Sequence, residues 1–266
     1  MTKHIQNSDL NTTWTIDSSD DTWTLAEAAT ITVNGNSAIQ VDDAFTGNSI
    51  NILGDINVTG NAFNGILIGG SYNDLSFGKQ ALLDATGAST AIDIEGNGVS
   101  VTNAGRIIGN NLGIDGYIGT EIVNTGLIKG GAAVYTNFSD LDIDNSGKMI
   151  GSTFAIRADS DDGVIVNRDG GLIRGNTFGI ILDDAEGATI RNSGTLKGDV
   201  AISATGTADT TVINRGSITG DIDLAGGKDR FDSRGGTVNG SVDGGDGDDT
   251  YLVSSTSINI TEQADH

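Results

Sequence analysis

Short apolar runs alternate with polar residues along almost the whole chain, and each run stops at Gly, Asn or Asp. Three kinds of piece recur. The first ends in Asn, as in "ATIRNSG", "GVIVNRD" and "TTVINRG". The second is brief, as in "LIKG", "LIRG" and "SITG". The third is "GNTFGIIL", "GSTFAIRA" or "GDVAISAT". β-Branched residues at period two, closed by turn residues, predict short strands, and no stretch has the period of a helix.

The pieces return as a phrase: "VTNAGRIIG" from Val101, "IVNTGLIKG" from Ile122, "IDNSGKMIG" from Ile143, "VNRDGGLIRG" from Val166, "IRNSGTLKG" from Ile190 and "VINRGSITG" from Val212. The glycines that follow the Asn are Gly105, Gly126, Gly147, Gly171, Gly194, Gly216 and Gly236, at spacings of 21, 21, 24, 23, 22 and 20. Weaker copies stand around Gly54 and Gly78. Three short strands per unit of about 22 residues predict an all-β, single-stranded, right-handed parallel β-helix (β-solenoid) of about nine turns of 20–24 residues. At about 4.8 Å per turn it would be a rod of roughly 40 Å.

One turn cannot bury its own apolar face, so stacking must do it. Equal offsets then become columns. Ile173, Leu196 and Ile218 are expected to form an aliphatic stack, and Phe63, Phe154 and Phe178 a partial aromatic one. Asn103, Asn124, Asn145, Asn167, Asn192 and Asn214 form a candidate amide ladder, each at a corner that Asn tolerates in the left-handed conformation. The following glycine is expected to take a backbone angle that other residues avoid. Residues 1–30, with Trp14 and Trp23, do not fit the repeat and are expected to cap the rod. The solenoid proper would then occupy 31–220, and 221–266 the terminal turns.

Composition sharpens this picture. The 266 residues include 40 Gly and no Pro or Cys, which means many tight turns and no disulfide or thiolate chemistry. With 36 acids against 14 bases the net charge is −22, so nucleic acid and anionic membranes are poor partners and divalent cations plausible ones, beside the plain reading of a solvated acidic surface. No run of 18 apolar residues exists to cross a membrane, "MTKHIQNSDLNTTWTI" has no apolar signal region, and "SINITEQADH" offers no terminal element. A fragment of a longer chain is expected. Charge also looks sorted by face. Lys129, Arg174 and Lys197 sit three residues after their reference glycine, and Arg168 and Arg191 three before it. Asp159, Asp161, Asp162, Asp183, Asp184 and Glu186 fall in loops after the third strand. The basic stripe suits an extracellular acidic polysaccharide and the acidic one suits calcium.

One motif carries chemistry of its own. "GGDGDDTYL" from Gly244 to Leu252 fits the nonapeptide Gly-Gly-x-Gly-x-Asp-x-U-x, with Gly244, Gly245, Gly247, Asp249 and Tyr251 in the defining places. Twenty residues upstream, "LAGGKDRFD" repeats Gly227, Asp229 and Phe231 but has Leu224 and Ala225 for the paired glycines. Glycine lets the backbone turn its carbonyls toward a cation, and Asp adds charged oxygens of the kind Ca²⁺ prefers. Candidate calcium residues are therefore Gly227, Asp229, Gly245, Asp246, Gly247 and Asp249, with Asp246 and Asp248 equally readable as solvated.

The stretch 221–266 resembles the calcium-binding repeats of the repeats-in-toxin (RTX) family of secreted bacterial proteins. The turns from 101 to 240 look like the passenger β-helices of autotransporters and large adhesins. These resemblances imply an exported, extracellular protein that calcium folds or stabilises. Neither an RTX secretion signal nor an autotransporter barrel is recognisable.

Many β-helices cleave acidic polysaccharides, but the residues argue against it. Gly-His-Gly and Arg-x-Lys are absent, and His4 and His266 stand at the termini. Arg157 beside Asp159 and Asp183 is the best lyase-like constellation. The reading is a non-catalytic, calcium-binding solenoid with a structural or adhesive role in a secreted or cell-surface protein, able to associate end to end. The alternative is a polysaccharide lyase or hydrolase domain. Surface binding by Thr-x-Thr ranks has support only near the N-terminus, in "TWTI", "TWTL" and "TITV".

Overall fold

The computed structural model describes all residues except 138–139, 159–162, 184–186, 255–257 and 263–266. Asp159, Asp161, Asp162, Asp184, Glu186 and His266 lie outside the described residues. Among the described residues the chain is all strand and turn. Twelve strands pair in sequence order into one parallel sheet, and a second sheet of 18 strands takes the remaining two strands of each coil. The chain is a β-solenoid of about 11 turns, or about 50 Å of stacked coils.

The extra turns come from the N-terminal segment. Residues 1–30 were expected to stand outside the repeat, yet Lys3–Gln6 pairs in register with Thr22–Leu25, and Trp14–Ile16 with Ile39–Val41. The first coil thus continues the same ladders. Trp23 is buried, stacks on His4 at 3.8 Å between ring centroids and meets Trp14 edge-on at 5.8 Å. The paired Thr22 and Thr24 are followed by Ser49 and Asn51 on the next rung, so Thr-x-Thr ranks do not extend.

The aliphatic column runs further than the phrase implied. Met149, Ile173, Leu196 and Ile218 pair rung to rung and are all buried. Each such side chain contributes about 1.5–3 kcal/mol of burial. Phe154 and Phe178 also pair, but Phe63 does not join them: its neighbour Asn64 holds that register, opposite Thr90, and Phe63 is 86% exposed. An equal offset in the phrase was off by one in the coil.

The Asn column is a continuous amide ladder. Each Nδ2 donates to the next Oδ1, from Asn103 through Asn124, Asn145, Asn167 and Asn192 to Asn214, at 2.7–2.9 Å. The second Nδ2 hydrogen reaches a carbonyl of the next coil, such as Leu127 or Thr195. All six are buried, and buried amides must be satisfied this way. None of them has a positive φ; each ends a strand rather than turning a corner. The reference glycines do not have positive φ either. They are required by crowding instead: a Cβ on Gly126 would lie 2.1 Å from the Gly105 carbonyl oxygen, and one on Gly216 2.2 Å from that of Gly194. At the weaker copies Gly54 keeps this place, but Ala81 rather than Gly78 holds it, since Arg106 N–H bonds the Ala81 carbonyl as Leu127 N–H bonds that of Gly105.

Candidate functional site

Each strand of the 12-stranded sheet starts at a second corner, and the nonapeptide builds that corner in the last coils. Arg230–Ser233 pairs with Thr250–Val253, placing Phe231 against Tyr251, and a bridge joins Gly226 to Asp246. The turn at 225–229 therefore lies directly on the turn at 245–249. Asp246 N–H donates to the Ala225 carbonyl at 2.8 Å, and Gly227 N–H to the Asp246 carbonyl at 2.9 Å. Gly227, Gly245 and Gly247 have φ of 123°, 84° and 127°, values that glycine tolerates best. Ala225 shares the left-handed region at 68° although it lacks the glycine of the motif.

The six predicted residues are thus brought together on two stacked turns, with their carboxylates placed unequally. Asp246 and Asp248 are exposed. Asp249 is half-buried, and its Oδ1 accepts from Asp229 N–H at 2.8 Å. Asp229 is 2% exposed; its Oδ1 accepts from Thr210 N–H at 2.6 Å, while its Oδ2 is buried with no partner. Burial pushes the Asp229 carboxyl up to about 7, helped by the charges of Asp249, Asp209 and Glu262. Burial raises Asp249 as well. Two members escaped the sequence reading. Asp209 accepts from Lys228 N–H at 2.6 Å one turn earlier, and the spacing of Asp209, Asp229 and Asp249 by 20 each could have disclosed it. Glu262 accepts from Tyr251 Oη at 2.6 Å.

Asp249 also has a plain architectural precedent. At the same corner near the N-terminus, Asn48 Oδ1 accepts from Asp21 N–H, and Asn73 Oδ1 from Asn48 N–H. What distinguishes the C-terminal corner is the leftover oxygen. Among the described residues no three His, Cys, Asp or Glu side chains gather closely enough to hold a metal alone. A cation there would draw on main-chain carbonyls of the glycine turns in addition to Asp229 and Asp249, and hard oxygen donors of that kind match Ca²⁺. On this observation the residues fit.

Several other charged groups pair within the coils. Asp232, 2% exposed, is ringed by Arg215, Arg230 and Arg234, which hold its carboxyl well below the usual range. Arg157 pairs with Asp183 and lies 5.7 Å over the Tyr135 ring. Asp93 and Asp115 neighbour each other on adjacent rungs, and burial plus the Asp93 charge push Asp115 up to about 6. Arg168 and Arg191 do not share a stripe with one another: Arg191 pairs with Val166 in the first sheet, and Arg168 pairs with Asp144 across the corner.

No family model matches the chain, and no curated protein or solved structure matches it.

Proposed function

We propose that the chain is a non-catalytic β-solenoid whose last coils bind calcium, and that it serves a structural or adhesive role in a secreted or cell-surface protein. The observation that carries the metal reading is Asp229 Oδ2, a buried carboxylate oxygen with no donor. A buried charge must be neutralised by a proton, a partner or a metal. Asp229 and Asp249 would hold the ion, with backbone carbonyls of the turns around Gly227, Gly245, Asp246 and Gly247. Bound calcium would neutralise the carboxylates and tie the two turns together. The exported setting rests on the RTX-like nonapeptide, the acidic surface and the lack of Cys.

A ligand that binds only the folded state stabilises it by about 2.7 kcal/mol at a hundredfold excess over Kd, or roughly 5–10 °C in Tm at this chain length. Thermal unfolding followed by circular dichroism in EDTA, in millimolar calcium and in millimolar magnesium tests this. A rise confined to calcium and abolished by Asp229→Asn is expected. An identical Tm in EDTA and calcium would sink the metal reading.

A further inference from the structure

The second strand of five successive coils carries a two-column pattern on its outer face. Arg106, Leu127, Lys148, Leu172 and Thr195 pair rung to rung in one column. Ile108, Lys129, Ile150, Arg174 and Lys197 pair in the other. Every rung therefore offers one cation, and on four rungs an aliphatic side chain stands beside it. Between the columns runs the buried stack of Ile107, Ile128, Met149, Ile173 and Leu196. All five cations are exposed, and the aliphatic partners are partly exposed and not packed against the core.

This block reverses its surroundings. In a chain with 36 acids and 14 bases it holds no acid. Among the described residues none of its five cations makes an ion pair, whereas Arg157, Arg168, Arg215, Arg230 and Arg234 all do. A groove of about 450 Å³ borders it, lined by Lys79, Arg106 and Lys148 together with the crowded glycines Gly126 and Gly147. Across the bend, the next column is also apolar, with Leu112, Phe154, Phe178 and Val200 partly exposed and Ala132 buried between Leu112 and Phe154. Unpaired cations concentrated on one face of an anionic rod mark a surface for an anionic partner.

The geometry narrows the partner. One cation per rung spaces charge at about 4.8 Å along the axis, wider than the roughly 3.4 Å per strand of DNA and near the advance of one sugar in an extended chain. Two columns are only about 7 Å apart, which suits a single polymer and not a flat membrane. The aliphatic side chains and the stems of Lys and Arg offer the apolar contact that the C–H faces of sugar rings take up. We propose that this stripe binds an anionic polysaccharide bearing one acidic group per sugar, laid along the solenoid axis. The site is separate from the calcium corner and does not depend on it.

The test is calorimetric binding of size-fractionated oligogalacturonate at low salt, with EDTA present so that no calcium bridge contributes. The triple variant Lys129→Gln, Lys148→Gln, Arg174→Gln should melt like the parent, because the three side chains are exposed. Its affinity should fall at least about tenfold, and the slope of log affinity against log salt should fall by about two. Arg191→Gln, exposed on the other sheet, should leave binding unchanged, and neutral dextran should not bind. The proposal is overturned if oligogalacturonate fails to bind the parent or binds the triple variant equally. Tighter binding of duplex DNA or of phosphatidylglycerol vesicles than of oligogalacturonate would overturn it too.

Discussion

The two ends of each first-sheet strand solve one problem with different chemistry. At the far end six amides stack from Asn103 to Asn214, each donor meeting the acceptor of the next rung. At the near end, acidic side chains stand at both extremities of the rod. Asp21 accepts from Thr2 N–H, Ser18 Oγ and His4 Nε2, and these hydrogen bonds, Thr2 first, hold its carboxyl well below the usual range. Asp229 takes the same corner position, accepts only from Thr210 N–H, and is pushed up to about 7 by burial. An amide both donates and accepts, so a column of amides satisfies itself. A carboxylate only accepts, so a column of carboxylates leaves an oxygen over unless donors come from elsewhere. That difference separates scaffold from candidate site.

Putting carboxylate chemistry into the amide ladder should have the largest effect. Asn145→Asp removes the donors to Asn167 Oδ1 and the Leu172 carbonyl and buries a charge among acceptors. A loss of about 3–5 kcal/mol is expected in urea unfolding. A loss below 1 kcal/mol would mean that the ladder is not a continuous hydrogen-bonded unit.

The second effect lies at Asp229 and depends on pH. Its folded carboxyl titrates near 7, above the ordinary Asp value of 3.8. The unfolded chain therefore gives up this proton first, and stability falls as pH rises between those two values. In EDTA the fall between pH 4.5 and 7.5 should be about 2–3 kcal/mol. Asp229→Asn should remove this share and leave the smaller fall of the same sign that the raised Asp115 contributes, and calcium should remove the Asp229 share too, because it would keep the carboxylate ionised in the fold. Urea titrations at several pH values check this; a parent curve identical to that of Asp229→Asn would refute the orphaned oxygen. Asp21 contributes with the opposite sign, since its stabilisation is lost only as pH falls through its depressed folded value.

A smaller loss is expected where the ladder begins. N-terminal to Asn103 the same column is apolar, with Phe77 paired to Asn103 and Ile52 to Phe77. Asn103→Leu extends that apolar part by one rung. It leaves only Gly105 N–H, the Leu127 carbonyl and Asn124 Oδ1 short of a partner. About 1–2 kcal/mol in urea is expected, and a cost equal to that of Asn145→Leu would remove the distinction between the end and the interior of the ladder.

Much of this contrast could be read from the sequence, because a repeat of 20-odd residues converts offsets into columns. The amide ladder and the Ile173–Leu196–Ile218 stack follow from it directly. What depends on corner length does not. Asp169 and Gly170 lengthen one corner, so counting back from the glycine aligned Arg168 with Arg191, while the strands align Arg191 with Val166. The two-column pattern did not depend on that corner: Arg106 and Lys148 follow their reference glycines by one, and Lys129, Arg174 and Lys197 by three, so both columns were legible once the two offsets were placed on one strand face. The reason for the glycines was hidden, since carbonyl crowding between coils leaves no mark in a single turn. At the calcium corner the motif residues were legible. The number of donors reaching Asp229 was not, because the one that does, Thr210 N–H, comes from the preceding coil.

The finest cut through the comparison is Asp249→Asn. Asp249 Oδ1 accepts from Asp229 N–H as Asn48 Oδ1 accepts from Asp21 N–H, so the amide keeps the architectural contact. It also removes one of the charges that raise the Asp229 carboxyl. In EDTA at neutral pH the variant should therefore match the parent within about 1 kcal/mol, with any change in the stabilising direction. In calcium the two should part, because an amide oxygen replaces a charged ligand and weakens the site. Equal melting in EDTA with a lost calcium response would assign Asp249 both jobs, one to the coil and one to the ion. Destabilisation in EDTA with an intact calcium response would make it a corner residue like Asn48 and leave any metal to Asp229 alone.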